Sequence, residues 1–423
     1  MMADILLKSF FEKSRWESAI DIGIEKRLDR CLLKEMCKKE GRLALYHRIR
    51  DNKYHVQPPH EALIPKDNGE YRTVYVNDNE DRVILAIVND MLFEKCPEMV
   101  HPACRSYQKG IGCGKVVQEA SSVLAGIRSS IVGYKVDLSK YFDSVPRQYI
   151  DGVFDQVEEK FGKSKIIDIL REYYHTDTVY DLQKKLIEKY SSLRQGCAVA
   201  AFLADAVLYD IDDTLSRMKD IYYVRYSDDI LILGEEGKTK AAFDKLSELL
   251  AQKELKLNPK KVEVLRKDRW FKFLGFTLKG SRISLSKSRV KKFQKTIDEH
   301  TTRSRFRDEY QLTKNVFRAL YQGQGEYSWG TGVLPIINVK TDIDTLNAYV
   351  MDAIRAAITK KTRIGGLGVV INKPDGTIVR GKGRNVKMNR CKVPELKSYL
   401  SIGCMRNALL TSKEAYQTLA MTI

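Results

Sequence analysis

Residues 221–233 read IYYVRYSDDILIL, two runs of apolar and aromatic residues around a polar tip. The runs, 222–226 and 230–233, are short and rich in β-prone side chains, a pattern typical of a β-hairpin. Asp228 and Asp229 stand side by side at the tip. Neighbouring carboxylates repel each other and gain nothing from burial, so this stretch predicts a hairpin whose tip holds a cation.

A third carboxylate, Asp137, lies upstream in a matching context. It ends the apolar run 131–137, IVGYKVD, which predicts a strand, and a short helical segment follows near Lys140. An isolated Asp-Asp pair is more often an ordinary solvated turn, but a second strand that ends in aspartate favours a shared site. We expect Asp137 and Asp228 to lie on adjacent strands, with Asp229 beside them.

This set of carboxylates suits nucleotidyl transfer. That reaction uses two divalent ions, one that activates the attacking 3′-oxygen and one that holds the triphosphate. Because Mg²⁺ prefers oxygen ligands, carboxylates are the protein groups that it requires. We expect two Mg²⁺ ions, or Mn²⁺ in their place, bound by Asp137, Asp228 and Asp229 and by the backbone carbonyl of Leu138.

The composition favours a polyanionic partner. The 423 residues include 73 Lys and Arg against 55 Asp and Glu, a formal net charge of +18. Nucleic acid is the commonest partner of such a protein, although a basic balance alone is weak support. The length is sufficient for two or three domains with substantial cores.

The cysteine pattern and the absence of a long apolar run predict a cytoplasmic protein. The eight cysteines include no C-x-x-C pair and no histidine at zinc-finger spacing, which indicates free thiols in a reducing compartment. No run approaches the roughly 18 apolar residues of a membrane span, and the N-terminus lacks the basic region of a secretory signal. We expect no membrane partner, and the oligomeric state stays open.

The residues before Asp137 divide into a helical part and a mixed part. Residues 1–58 have apolar side chains at helical spacing, whereas residues 59–135 alternate strand and helix patterns. The segment 104–115 is rich in glycine and cations but lacks the spacing of a P-loop, which argues against an NTPase. We expect this segment to follow a nucleic-acid backbone. Its candidate RNA-binding residues are Arg105, Lys109 and Lys115.

The last part of the chain is strongly basic. Residues 369–379 predict a hairpin across a Pro-Asp-Gly turn, and cations surround it with scarcely an acid among them. Such a cluster favours phosphate contact over a merely solvated surface. Its candidate RNA-binding residues are Arg363, Arg380, Arg384 and Arg390.

Several stretches resemble, in order, the motifs of reverse transcriptases, and the most specific is Tyr226-Ser-Asp-Asp229, which resembles the YxDD box. The other matching stretches are Lys66 with Arg72, Asp137-Leu-Ser-Lys-Tyr-Phe142, Arg194-Gln195-Gly196, Leu257-Asn-Pro-Lys260-Lys261 and Phe273-Leu-Gly275-Phe. The resemblance covers roughly residues 66–278, about half of the chain. The two carboxylate motifs together carry most of its weight.

The resemblance implies roles in nucleotide binding. Lys66 and Arg72 match the cations that grip the incoming triphosphate. Phe142 matches a large ring that closes off the space of a ribose 2′-hydroxyl, although a plain core aromatic would look the same. The further substrate-binding residues that the resemblance implies are Gln195 and Gly196, beneath the nascent base pair, and Tyr226.

The motif that contains Lys260 and Lys261 includes a lysine that is thought to protonate the leaving pyrophosphate. With Asp137, Asp228 and Asp229, these two lysines complete the catalytic set that the resemblance implies.

The implied fold is α+β, a right-hand polymerase with fingers, a palm made of an antiparallel sheet with helices, and a mainly helical thumb. We expect the domains to be an N-terminal helical region (1–58), fingers (59–135), a palm (136–280) with a helical insertion (147–193), and a basic thumb and C-terminal RNA-binding region (281–423).

The implied function is RNA-directed DNA synthesis on a structured, non-coding RNA template, with dNTPs as substrates and cDNA as product. The motifs resemble the bacterial lineage of group II introns and retrons. The proline-containing form of the motif around Gly196 is missing, as are an HNH endonuclease and the retron Val-Thr-Gly triplet. With these departures, the chain most resembles the stand-alone, defence-associated reverse transcriptases of bacteria, and among them the type 2 group. A maturase-like RNA-binding protein and an RNA-dependent RNA polymerase are the alternatives.

Overall fold

The computed structural model describes residues 4–359 except 27, 67–68, 109, 306–308 and 322–327, together with the short strands 371–372 and 378–379. Four helices come first, as the apolar spacing predicts. They are α1 (Ile5–Phe10), α2 (Lys13–Lys26), α3 (Arg30–Cys37) and α4 (Lys39–Arg50). Leu6, Phe10 and Trp16 are buried in a core that these helices share with the following domain.

A hairpin and two long helices follow. They are β1 (His60–Pro65), β2 (Tyr71–Val76), α5 (Asn79–Lys95) and α6 (Cys113–Gly126). The strands β1 and β2 form an antiparallel hairpin and pair from His60↔Val76 to Pro65↔Tyr71. Helix α5 is apolar around most of its circumference, because it is buried among the N-terminal helices and the later helix at Ala200–Ala206.

The central part of the chain alternates strands and helices. Its elements are β3 (Ile131–Asp137), α7 (Tyr141–Ser144), α8 (Arg147–Phe161), α9 (Lys165–His175), β4 (Thr178–Tyr180), β5 (Leu186–Glu188), α10 (Ala200–Ala206), α11 (Tyr209–Ser216), β6 (Ile221–Tyr226), β7 (Asp229–Gly234), α12 (Glu236–Gln252) and β8 (Glu263–Arg266). Four strands form an antiparallel sheet in the order β6-β7-β3-β8. The predicted strand before Asp137 and the predicted hairpin at 221–233 are both confirmed.

Both faces of this sheet are buried, which explains its nearly continuous apolar strands. On β7, Ile230 and Ile232 belong to the core that contains α5 and α8–α12. The alternate residues Leu231 and Leu233 belong to a second core with α6 and the C-terminal helices. Because side chains alternate between faces, each strand contributes to both cores.

The prediction of a helical insertion over 147–193 is wrong for its last part. Helices α8 and α9 are present, but β4 and β5 form a hairpin that joins the first hairpin in a sheet of order β2-β1-β4-β5. The pairing between β1 and β4 is parallel and rests on His60↔Tyr180. Strands of three residues carry too little periodicity to be separated from helix by pattern alone.

The remaining elements are β9 (Phe271–Phe273), β10 (Phe276–Lys279), β11 (Arg282–Leu285), α13 (Lys287–His300), α14 (Glu309–Tyr321), α15 (Lys340–Thr359), β12 (Ile371–Asn372) and β13 (Ile378–Val379). The strands β9, β10 and β11 form a three-stranded antiparallel sheet in the order β11-β10-β9. The strands β12 and β13 pair antiparallel, which confirms the predicted C-terminal hairpin. None of the described helices has the length and apolar character of a membrane span.

Taken together, the sheets and helices confirm the predicted α+β class. The described helices α13–α15 pack in the second core, on the face of the central sheet that carries Leu231 and Leu233. The division into four domains stays a prediction.

Candidate active site

The register of the central sheet brings the predicted carboxylates together. Asp137 is the residue of β3 that lies directly across from Asp229 of β7. Asp229 also pairs with Tyr226 of β6, so Ser227 and Asp228 form the tip of the hairpin. The backbone N–H of Leu138 donates to the Asp228 carbonyl at 3.1 Å, which fixes the tip beside the end of β3.

The three aspartates are crowded in a partly water-excluded place. Burial raises the pKa of Asp228, and the nearby Asp137 raises it further, against the opposing charges of Lys261 and Arg72. Burial likewise raises the pKa of Asp229 to about 6, with repulsion from Asp228 adding to the effect. The positive side chains near Asp228 and Asp229 therefore do not fully offset the burial and the mutual repulsion of these carboxylates.

One cation is already in contact with the cluster. The Lys261 ammonium lies 2.7 Å from Oδ2 of Asp137, which is itself buried. Lys261 ends a 3-10 turn, Pro259–Lys261, and the Asn258 side chain accepts from the Lys260 N–H at the start of that turn. The Lys260 side chain is exposed. Of the two predicted catalytic lysines, the structure brings Lys261 to the carboxylates.

The donor set fits divalent cations. Within the described residues, no three His, Cys, Asp or Glu side chains are already arranged around one metal position. The oxygen-only chemistry of Asp137, Asp228 and Asp229 nevertheless suits Mg²⁺ or Mn²⁺. The raised pKa of two of these groups and the ammonium beside the third indicate a place that attracts positive charge.

The two predicted triphosphate cations lie on the first hairpin. Arg72 is exposed on β2, opposite Ile64, and its positive charge partly opposes the rise in the pKa of Asp228. Lys66 lies at the turn of the hairpin, where its ammonium is 3.4 Å from Glu70. The structure thus places Arg72 towards the carboxylates, whereas the observed partner of Lys66 is local.

The loop around Gly196 links the first hairpin to the central sheet. The Tyr75 N–H donates to the Gln195 carbonyl at 2.7 Å. Gly196 has φ +113°, and a Cβ there would come within 2.7 Å of the Tyr75 carbonyl oxygen. The close approach that requires glycine is therefore to the backbone of β2, while the exposed side of Gly196 stays free to face a ligand.

Phe142 lies on the short helix α7, next to the strand that ends at Asp137. Its ring is half-buried against the first core and meets Tyr141 edge-on at 5.6 Å between centroids. Its carbonyl accepts from the Leu193 N–H at 3.1 Å, so the loop that precedes Gly196 holds it in place. Tyr226 packs partly buried against the second core.

Comparison with known proteins agrees with this geometry. Residues 64–278, half of the chain, match the family described as "Reverse transcriptase (RNA-dependent DNA polymerase)". The chain belongs to the reverse transcriptase family. No curated protein matches it in sequence.

Solved telomerase structures show a weak overall structural similarity to this chain. Apo telomerase from Candida tropicalis is 12% identical with a TM-score of 0.44, over 75% of this chain and 62% of that chain. Telomerase from Candida albicans in complex with a fragment of telomeric RNA is 12% identical with a TM-score of 0.42, over 76% and 63%. The reverse transcriptase thus spans less than two thirds of the length of either structure.

The loop around Gly196 is supported by Arg194, the first residue of the motif Arg194-Gln195-Gly196. Arg194 is almost fully buried, with its guanidinium 4.1 Å from the centroid of the Tyr173 ring. Its Nε donates to Ser191 Oγ at 3.0 Å and its Nη2 donates to the Thr176 carbonyl. Arg194 therefore fixes the start of the Gln195-Gly196 loop against helix α9. The neighbouring residues Ser191, Ser192 and Gln195 are polar, so the local sequence carries no signal for the burial of Arg194.

The predicted RNA-binding residues of the reverse transcriptase are only partly described. Arg105 has backbone contacts to β6, and its Nη2 lies 3.6 Å from Glu119. Lys115 is exposed on α6. The residues that lie outside the described part of the chain are Lys109, Arg363, Arg380, Arg384 and Arg390.

The crowding of the carboxylates predicts opposite effects of two substitutions on stability. Replacing Asp228 and Asp229 together by alanine should leave the melting temperature in metal-free buffer unchanged or higher, because it removes repelling charges whose pKa is raised. Lys261→Met should lower the free energy of unfolding by up to about 1 kcal/mol, since it removes the partner of the buried Asp137. Calorimetry with a chelator present measures both. A melting temperature of the double variant well below that of wild type would contradict the claim that these carboxylates repel one another in the folded protein.

Proposed function

We propose that this chain is an RNA-directed DNA polymerase that makes cDNA from a bound RNA template by two-metal nucleotidyl transfer. The observation that carries the proposal is the cross-strand pairing of Asp137 with Asp229 beside Asp228 at the hairpin tip. Membership of the reverse transcriptase family supports the template and substrate class.

In this proposal, Asp137, Asp228 and the Leu138 carbonyl would hold two Mg²⁺ ions. Asp229 would act beside them as an auxiliary ligand or as a nearby negative charge. When bound, such ions supply Lewis-acid activation of the 3′-hydroxyl and neutralise charge on the triphosphate. The metals are Mg²⁺ in the proposal, and Mn²⁺ has the same ligand preference for oxygen.

The other residues orient the dNTP and move a proton. Arg72 and Lys66 bind the triphosphate oxygens, Arg72 as a fork and Lys66 as a point charge. Lys261, which already lies beside Asp137, or the neighbouring Lys260 donates a proton to the leaving pyrophosphate. The remaining substrate contacts in the proposal are Phe142, Gln195, Gly196 and Tyr226.

The finer parts of the proposal rest on the sequence. They are a place in the group II intron and retron lineage, a role in antiphage defence and a structured non-coding RNA as the template. The free thiols favour a cytoplasmic location. The basic residues after 359 are proposed to hold the RNA by phosphate contacts, and the four predicted domains keep their bounds as a proposal.

Primer extension on an RNA template tests the function directly. We expect extension with dNTPs. Changing both Asp228 and Asp229 to alanine should lower the extension rate by roughly a thousand-fold or more, which corresponds to about 4 kcal/mol of lost transition-state stabilisation. Asp244→Ala, on the exposed face of α12, is the matched control and should keep wild-type activity. Extension by the double variant at a near wild-type rate, or a preference for rNTPs in the wild type, would overturn the proposal.

The position of Phe142 predicts the choice of sugar. Phe142→Ala should open space for a 2′-hydroxyl and raise kcat/KM for rNTPs relative to dNTPs, because discrimination is a difference in transition-state binding. Phe142→Tyr keeps the ring and should keep the ratio close to wild type. Single-nucleotide incorporation kinetics measure the ratios. An unchanged ratio in an active Phe142→Ala variant would mean that the ring only packs against the core.

A further inference from the structure

The residue before Asp228 is held at both of its backbone hydrogen-bonding groups. Ser227 has φ +58°, a left-handed conformation that is typical of a two-residue turn between antiparallel strands and is uncommon for residues other than glycine. Its N–H donates to Ser106 Oγ at 3.0 Å, and its carbonyl accepts from Arg225 Nη1 at 3.3 Å. The hairpin tip is therefore shaped by groups outside the tip.

Those two groups are fixed by buried acids. Ser106 Oγ donates to Asp205 Oδ1 at 2.7 Å, and the Arg225 guanidinium contacts both oxygens of Asp212, with Nε 2.8 Å from Oδ1 and Nη2 2.5 Å from Oδ2. All four side chains have no exposed surface. The network thus joins four segments, which are the loop at 103–106, helix α10, helix α11 and strand β6.

The same loop is laid against β6 by backbone hydrogen bonds. The Arg225 N–H donates to the Ala103 carbonyl at 2.9 Å, and the Arg105 N–H donates to the Arg225 carbonyl at 2.8 Å. Part of the segment that the sequence assigned to nucleic-acid contact is thus an additional edge of the central sheet. These two backbone hydrogen bonds fix the position of Ser106 relative to Ser227.

Stability alone is a poor reason for this network. A buried ion pair is often no more stabilising than apolar residues of the same volume, because both charges lose their hydration. Here one guanidinium faces two acids, and burial raises the pKa of Asp205 to about 6. Such a costly arrangement is understandable if it specifies the geometry of the tip.

We propose that Ser106, Asp205 and Arg225 form a positioning network that presets Asp228 for binding a divalent cation. The inference rests on the proposed function, since it takes Asp228 as a metal ligand. Asp228 follows the clamped Ser227 directly, and its own carbonyl accepts from Leu138, so its backbone is held from both sides. The network acts through Asp228 and touches no substrate.

Binding of Mn²⁺ alone, measured by electron paramagnetic resonance without nucleotide or template, tests the inference. Ser106→Ala should raise the Kd for Mn²⁺ roughly ten-fold, the scale on which outer hydrogen-bond partners affect metal affinity. Ser106→Thr keeps a hydroxyl and should restore most of the affinity. Ser121→Ala is the matched control, because this buried serine donates to the Gly280 carbonyl, in the turn between β10 and β11, and should leave the Kd unchanged.

A second variant covers the case in which Ser106→Ala does not fold. Arg225→Lys keeps a positive charge facing Asp212 but loses the fork that reaches the Ser227 carbonyl, and it should weaken Mn²⁺ binding in the same direction. Excess Mn²⁺ should restore primer extension in either variant, which a general loss of folding would not allow.

Asp228→Ala separates the possible failures. If it weakens Mn²⁺ binding while Ser106→Ala and Arg225→Lys bind as wild type, the positioning network is refuted and the proposed function stands. If Asp228→Ala itself binds Mn²⁺ with wild-type affinity, the assignment of the metal ligands is refuted, and the positioning role with it.

Discussion

The antiparallel register between β3 and β7 is the constraint on which the site depends. It sets Asp137 opposite Asp229, and the tight return into β6 then places Asp228 at the same end of the sheet. Side chains alternate along a strand, so a slip of one residue would turn one of these aspartates to the other face. Because the sheet is buried on both faces, such a slip would also exchange the residues of the two cores.

That burial has a consequence for the chemistry. Carboxylates at the end of a well-packed sheet are held close together and partly shielded from water, so they cannot relax away from one another. Lys261 beside Asp137 supplies one compensating charge, and the buried network behind Ser227 holds the backbone of the hairpin tip. The rigidity of the sheet thus keeps the carboxylates close together, in the arrangement that the proposed function requires.

Much of this arrangement is predictable from sequence, because apolar runs bordered by aspartates mark both the strands and the carboxylates at their ends. The hairpin at 221–233 and the strand before Asp137 follow from such local patterns. What could not be predicted depends on contacts between distant segments. The hairpin β4–β5 joins the first hairpin through the pairing of His60 with Tyr180, and the side chains of Arg194 and Arg225 make their contacts with residues of other elements.

The most direct test of the account is the anomalous scattering of Mn²⁺ in crystals of the protein with an RNA–DNA hybrid and a non-reactive dNTP analogue. The account predicts a peak between the carboxylates of Asp137 and Asp228, with a second peak beside it at the triphosphate. Ordered hybrid and nucleotide with no peak at these two carboxylates, or with Mn²⁺ bound elsewhere, would contradict it.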